Sequence, residues 1–256
     1  MKNSNNRSKL VKTNEEIELM KISGRICAEI FKEILENVKI GSTCLSLDKI
    51  AHSEIIKRGA TPSFTSVDNY KWSICTTVND QVVHGIPNER ILKDGDILGI
   101  DMGVSYKDYH SDMAVTVGIG KLSKTTRKFL VVGREALKDA ISQAKIGARI
   151  GDISAAIQQK IETAGYSIVK SLTGHGIGRY LHEQPMVPGF GQKGTGPKIF
   201  ENMTLAIEVI YNQGSGNVVL EKDGWTIRSE DGSLGGLFEQ TIAIAKDGPI
   251  VLTPYL

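Results

Sequence analysis

Cysteine is scarce in this chain and odd in number: Cys27, Cys44 and Cys75, with no CxxC pair. That disfavours a disulfide framework and a structural zinc cluster, and makes a reducing cytoplasm the expected setting. Net charge is nearly absent too. The 31 Lys and Arg against 29 Asp and Glu give a formal +2, so no strong basic field marks nucleic acid as a partner. No apolar run is long enough to span a bilayer, and no membrane partner is expected. The opening MKNSNNRSKLVKTNEE is polar and lacks the apolar segment of a signal peptide; residues 1–12 read as a short flexible tail. Familiar catalytic signatures are missing: no P-loop, no HExxH, no GxSxG elbow. GFGQKG at 189–194 spells GxGxxG, but it follows QPMVP rather than a strand and no helical pattern comes after it, so it reads as a loop.

What is present repeats itself. A helix is predicted from Asn14, with Glu15 and Glu16 in its first turn, where the helix dipole favours them. KIG follows at Lys39, then a second helix near 46–58 that stops at Gly59. About 106 residues on the pattern returns. CAEIFKEILENVKIG at 27–41 aligns with GREALKDAISQAKIG at 133–147, and the next helix stops at Gly165. With one more residue of offset, LGIDMG at 98–103 falls on LAIEVI at 205–210, matching Asp101 with Glu208. Two α+β halves around a pseudo-two-fold axis are expected, joined near 122–124 without a Pro/Gly/Ser linker and so forming one integrated domain. A length of 256 residues buries a sizeable core.

The acids are oddly placed. In DILGIDMGVSY, strand alternation puts Ile97, Gly99, Asp101 and Gly103 on one face and Leu98, Ile100, Met102 and Val104 on the better core face. If Lys107-Asp108 is a two-residue hairpin turn, Gly103 sits opposite Asp112. Asp101 and Asp112 are then diagonal neighbours, with Cβ atoms about 7 Å apart or somewhat less. An odd-length loop would flip that parity, and a solvent-facing hairpin with two harmless acids is the alternative. Two like charges repel by roughly 4 kcal/mol at 4 Å near a protein surface, so a convergent pair requires an offset. Glu208 in TLAIEVIY and Glu239 in GGLFEQTIAIA are isolated carboxylates in apolar strands, expensive unless paired or bound to metal.

Five histidines complete the inventory. His52 lies on a helix and reads as structural; His110 lies in the hairpin and reads as solvated. His84 and His175 each sit in an HGI string, where glycine permits close approach of backbone or ligand, and His182 follows in GRYLHEQP. Four carboxylates with one or two histidines suit divalent manganese, iron, cobalt or zinc. Bridging carboxylates can hold two such ions about 3.5–4 Å apart; the pair would offset the repulsion and acidify a water between them. That is hydrolytic equipment.

VNDQVVHGIP, LKDGDILGIDMG, YHSD, GHGIGRYLHEQP, AIE and DGWTIRSEDGSLGGLFEQT together make the chain resemble the type I methionine aminopeptidases of the pita-bread fold, from about Asn14 to Leu252. The resemblance implies an α+β fold of two pseudo-symmetric halves, about 13–121 and 122–256, with a central curved antiparallel sheet covered by helices. It implies two divalent ions (Co, Mn, Fe or Zn) held by Asp101, Asp112, His175, Glu208 and Glu239. Asp112 and Glu239 would bridge them, and Asp101 would be bidentate to one. His84 would contact the scissile amide region, His182 the substrate carbonyl, and Glu208 would shuttle the proton. Phe64, Tyr70, Cys75, Leu181 and Trp225 are the implied methionine pocket, with core packing the alternative for Trp225. The implied substrate is the N-terminal methionine of nascent polypeptides with a small second residue. The implied setting is a monomer in the bacterial cytoplasm, with transient ribosome association.

The chain departs from that family at Met113 (threonine is usual), Gln184 (HEQP for HEEP), Val209 (proline), Gly236-Leu237 (AQ) and Gln240 (histidine). Changes beside metal ligands can cost about 10–100-fold in affinity or activity. Two rivals stand beside this reading. A proline-specific aminopeptidase, prolidase or creatinase-like hydrolase on the same fold usually carries an extra N-terminal domain. A non-catalytic module that kept the fold would have lost ligands, whereas all five are present here.

Overall fold

A computed structural model describes residues 10–254. Residues 1–9 of the expected tail lie outside the described residues. The last three tail positions are not loose. Val11 bridges to Met203, the Lys12 N–H donates to the Asn202 carbonyl at 2.9 Å, and the Lys12 side chain is buried against Glu183. An ion pair 171 residues distant in sequence overrides the polar local composition.

Helix α1 (Asn14–Asn37) begins at a capping box one residue before its first turn. Thr13 Oγ1 accepts from Glu16 N at 3.2 Å, and Thr13 N donates to the Glu16 carboxylate at 2.7 Å. Its buried stripe, Ile17, Met20, Cys27, Ile30, Phe31 and Ile34, faces the sheet. Helix α2 (Cys44–Lys57) starts two residues earlier than its apolar pattern suggests, because Thr43 and Ser46 cap each other's backbone N–H. A second pair follows, α3 (Lys124–Gln143) and α4 (Ile150–Thr163), α3 capped by Ser123.

Among the described residues, thirteen strands lie between and after the pairs. These are β1 (Thr61–Pro62), β2 (Ile74–Val78), β3 (Gln81–Val83), β4 (Ile97–Tyr106), β5 (Tyr109–Gly118), β6 (Ser167–Ile168), β7 (Thr173–Gly176), β8 (Glu183–Pro188), β9 (Thr204–Asn212), β10 (Val218–Leu220), β11 (Ile227–Ser229), β12 (Gly235–Ala245) and β13 (Gly248–Val251). Ten form one antiparallel sheet, ordered β1-β4-β5-β12-β9-β7-β8, with β2 on β4, β13 on β12 and β6 on β9. The small sheet β10-β11-β3 stands apart.

The two faces of the large sheet divide the labour. Leu98, Ile100, Met102, Met113, Val115, Ile207, Val209 and Phe238 pack with helix residues Phe31, Ile34, Phe129 and Ala136 into the main core. The opposite face carries the acids. The β4–β5 hairpin has the two-residue turn: Tyr106 pairs with Tyr109, and Lys107 and Asp108 both have positive φ, 49° and 65°. Gly103 therefore pairs with Asp112, as the parity requires.

Candidate metal centre

Register across four strands lines up the carboxylates. Asp101 of β4 and Glu239 of β12 both pair with Ala114 of β5, and Glu239 pairs with Glu208 of β9. One row thus reads Asp101, Ala114, Glu239, Glu208. The adjacent row on the same face reads Gly103, Asp112, Thr241, Ala206, His175, since Thr241 pairs with Ala206 and Ala206 with His175 of β7. Asp112 and Thr241 are stitched directly: Asp112 N donates to Thr241 Oγ1 at 2.8 Å, and that hydroxyl donates to the Asp112 carbonyl at 2.8 Å. Gly103, Ala114 and Ala206 are small, which leaves the volume above the sheet to the four acids and the imidazole.

These groups are starved of partners. Asp101 Oδ1, Asp112 Oδ1 and Glu239 Oε1 are buried without a hydrogen bond. Burial raises every carboxyl pKa in the set. Asp112 is pushed up to about 7, while Glu208, also repelled by Asp112, is pushed up to about 8. Asp101 and Glu239 are raised by burial first and by the Asp112 charge second. Glu208 retains some solvent exposure because the cavity reaches it, yet its carboxyl sits deep in the molecule.

His175 points the right nitrogen at them. Nδ1 lies 2.9 Å from the Gly176 carbonyl, which can only accept, so Nδ1 carries the proton and the Nε2 lone pair is free. Nε2 lies 4.0 Å from Glu239 Oε1. Burial, then nearby His182, lowers the imidazole pKa to about 4, leaving it neutral at pH 7 and fit to ligate. Donor atoms of Asp112, His175 and Glu239 lie within 4.8 Å of one another. Orphaned oxygens, a neutral imidazole and an all-oxygen-and-nitrogen donor set fit divalent metal ions, with Asp101 and Glu208 flanking the central three. Gly176 makes the close approach feasible: a Cβ there would stand 2.2 Å from the Gln184 carbonyl oxygen.

A cavity of about 280 Å³ opens above the carboxylates. All five sequence-predicted ligands line it, together with His84, His182, Phe64, Tyr70, Cys75, Leu181 and Trp225. Tyr70 anchors the apolar wall. Its hydroxyl donates to the Ile74 carbonyl at 2.9 Å, and its ring lies 5.0 Å from Trp225 and 6.3 Å from Phe64, both edge-on. Trp225 is a half-buried wall residue rather than a core one. His182 stacks edge-on against His175 with centroids 4.5 Å apart. His84 adopts φ 56°, a left-handed conformation uncommon for a residue with a side chain. Both His84 and His182 meet solvent at the cavity mouth, but protein encloses them on most sides and that enclosure lowers both pKa values.

Sequence reasoning missed Val67, Val83, Leu172, Met186 and Ile210, which also line the cavity. Each is apolar in an apolar or turn setting and carries no distinguishing local signal. His110, read as solvated, is half-buried instead: its ring meets Ser63 Oγ at 2.9 Å and its backbone N–H donates to the Gly178 carbonyl at 2.7 Å. His52 sits on an exposed helix face with Nδ1 3.0 Å from Ser73 Oγ. The departures Met113, Val209 and Gln240 each follow a ligand in a strand, so their side chains leave by the opposite face. Met113 and Val209 join the helix-covered core, and Gln240 donates to the Thr253 carbonyl at 3.1 Å. None of the three touches the acids' face of the sheet.

Comparison with known proteins agrees with this geometry. Residues 18–238 match the family model described as metallopeptidase family M24. A methionine aminopeptidase of Clostridium perfringens is 44% identical over 244 residues, covering 95% of this chain and 98% of its own. Methionine aminopeptidase 1 of Bacillus subtilis is 41% identical with the same coverage. The crystal structure of methionine aminopeptidase from Thermotoga maritima matches with a TM-score of 0.93 at 37% identity, over 95% of this chain and 98% of that one. The chain belongs to metallopeptidase family M24, among its methionine aminopeptidases.

Proposed function

We propose that the protein hydrolyses the peptide bond after an N-terminal methionine, on nascent polypeptides whose second residue is small. The observation that carries this reading is the placement of the carboxylate rows at the floor of an apolar cavity walled by Phe64, Tyr70, Cys75, Leu181 and Trp225. Such a wall suits a linear apolar side chain with a soft sulfur. Asp101, Asp112, His175, Glu208 and Glu239 would hold two divalent ions, Co, Mn, Fe or Zn. Bound there, such ions supply Lewis acidity and a water nucleophile near neutral pH.

The chain's own groups do the rest. Tyr70 and Trp225 hold the methionine side chain, which fixes the scissile carbonyl over the acids. His182, neutral at pH 7, donates an N–H to the carbonyl oxygen as negative charge develops on it. His84 donates toward the scissile amide from its fixed, left-handed backbone. Glu208 takes the proton of the attacking water and delivers it to the leaving amine from its place at the cavity floor. The reading extends to a monomer in the bacterial cytoplasm, where the buried free thiols Cys27, Cys44 and Cys75 stay reduced, meeting nascent chains transiently at the ribosome.

The test is hydrolysis of a Met-Gly-Met peptide by metal-free protein titrated with Mn²⁺, Fe²⁺, Co²⁺ or Zn²⁺, beside Asp112→Asn and an Xaa-Pro peptide. Metal-dependent methionine release, lost in Asp112→Asn, is the expected result. Release from Xaa-Pro alone, or from neither peptide with any metal, overturns the proposal.

A further inference from the structure

The loop 177–182 between β7 and β8 carries Leu181 and His182, one a pocket wall and the other a donor to the reacting carbonyl in the reading above. Its middle is exposed: Arg179 and Tyr180 face solvent, Tyr180 with 73% of its surface. Exposed loops of this kind are positioned by whatever ties them down. Backbone bonds from His110 to Gly178 and between Ile177 and Thr204 hold its first residues, and the side-chain ties to its middle come from the other end of the chain.

Two ion pairs reach the loop from residues 12–16. Lys12 is 3% exposed, and its Nζ lies 2.8 Å from Glu183 Oε2. The second Glu183 oxygen accepts the Tyr180 N–H at 3.0 Å, so one carboxylate joins the N-terminal segment to the loop backbone. One turn later, Glu16 pairs with Arg179 and accepts from the Tyr109 hydroxyl at 2.6 Å. The segment is itself fixed: Val11 bridges to Met203, and Asn202 bonds both the Lys12 backbone and the Asn14 side chain. The loop is notched to receive it. A Cβ on Gly178 would stand 2.0 Å from Lys12 Cε, so only glycine leaves the lysine its path to Glu183.

A buried ion pair is a poor device for stability, because desolvation offsets most of its attraction, but it is a strong device for fixing register once formed. We infer that residues 11–16 form a strap whose Lys12–Glu183 and Glu16–Arg179 pairs are positioning elements for Leu181 and His182. The inference rests on the methionine-releasing reading of the site. Lys12 and Gly178 touch no part of the cavity and act through the loop.

The test uses the full chain loaded with Mn²⁺ or Co²⁺ and compares Lys12→Met, Gly178→Ala and their combination. Gly178→Ala needs no unusual backbone angle, and its methyl would stand 2.0 Å from Lys12 Cε and 3.3 Å from Glu183 Oε1, so the lysine must leave its seat beside Glu183. Misplacing a catalytic group by about 1 Å can cost a hundredfold. Each single variant should therefore lose about ten- to a hundredfold in kcat/KM on Met-Gly-Met with calorimetric metal affinity unchanged, and its Tm should fall because Glu183 loses its buried partner. Amide hydrogen exchange should rise in peptides covering 177–183. The combined variant should lose no more than the worse single one. Should Lys12→Met fail to fold with Glu183 left unpaired, Lys12→Met/Glu183→Gln removes that charge and keeps an acceptor for Tyr180. With every assay run well below the variant's Tm, losses that multiply, losses that follow metal affinity, or kcat/KM within twofold of the parent with unchanged loop exchange would each overturn the strap. If the parent protein itself releases no methionine, the activity reading fails, and loop exchange alone decides the strap.

Discussion

Loading the centre with metal should expel protons, and the structure sets how many. In the metal-free protein burial pushes Glu208 up to about 8 and Asp112 up to about 7, so the coupled cluster still holds protons at pH 7. Asp101 and Glu239 are raised as well, so the cluster holds on the order of one to two protons or more. Ligation requires the carboxylates, and those protons must leave. Calorimetric titration with Mn²⁺ at pH 7, in buffers of different ionisation enthalpy, should report release of at least about one proton per protein. Release should shrink above pH 8 as the cluster empties, and apparent affinity should climb between pH 6 and 8.

The same shifts govern the stability of the metal-free protein, with a definite sign. These carboxyls bind protons more tightly folded than unfolded, so stability is greatest at low pH and declines as pH rises from the ordinary carboxylate range through the folded values. Each pKa unit corresponds to about 1.4 kcal/mol, so Asp112, moved from 3.8 to about 7, costs at most about 4 kcal/mol by pH 8. The unfolding free energy of metal-free protein from urea titration should fall between pH 5 and 8 by an amount of that order, and Mn²⁺ should restore it. Metal binding with no proton release at pH 7, and an unfolding free energy flat across that range, would refute the picture of acids held protonated until ligated.

Three further outcomes follow from packing. Trp225→Ala opens the cavity wall against Tyr70 and should lower kcat/KM on Met-Gly-Met about 10–100-fold, with metal affinity unchanged by calorimetry; an unaltered KM would remove Trp225 from the pocket. Gly176→Ala drives a methyl into the Gln184 carbonyl and should cost about 1–3 kcal/mol, lowering Tm by several degrees and weakening metal binding through displaced His175. Replacing Lys107-Asp108 with Asn-Gly suits the two positive φ angles and should raise stability in urea by about 1 kcal/mol without touching activity.

Much of the site was legible because β-strand parity is strict. Alternation along DILGIDMGVSY and the two-residue spacing of Lys107-Asp108 sufficed to bring Asp101 and Asp112 to one face, and the observed register repeats that deduction residue for residue. Glu208 and Glu239 announced themselves by their cost, each a lone acid in an apolar strand. What parity could not supply was the alignment between strands. That Glu239 pairs with Glu208 and shares Ala114 with Asp101 depends on which strands are neighbours, a matter of chain topology rather than local pattern. Parity also settles three of the departures from the family pattern, though it leaves Leu237 on the acids' face with Glu239. Met113, Val209 and Gln240 look threatening in a string of letters because they adjoin ligands, yet adjacency in a strand is what sends them to the other face.

The N-terminal segment failed to be read for the opposite reason. SKLVKTNEE is polar, and polarity in a short terminal stretch ordinarily means solvent. Lys12 is buried only because Glu183, 171 residues away, stands ready to neutralise it and Gly178 leaves it room. No window of sequence contains that information, since each of the three residues is unremarkable alone. The same physics explains why a buried lysine is more telling than a buried leucine. An apolar side chain goes inside wherever it fits, whereas a charge goes inside only where a partner is already held in place. A lysine folded under the loop that bears His182 therefore reports a fixed arrangement of that loop, and the arrangement reports which part of the site has to be held still.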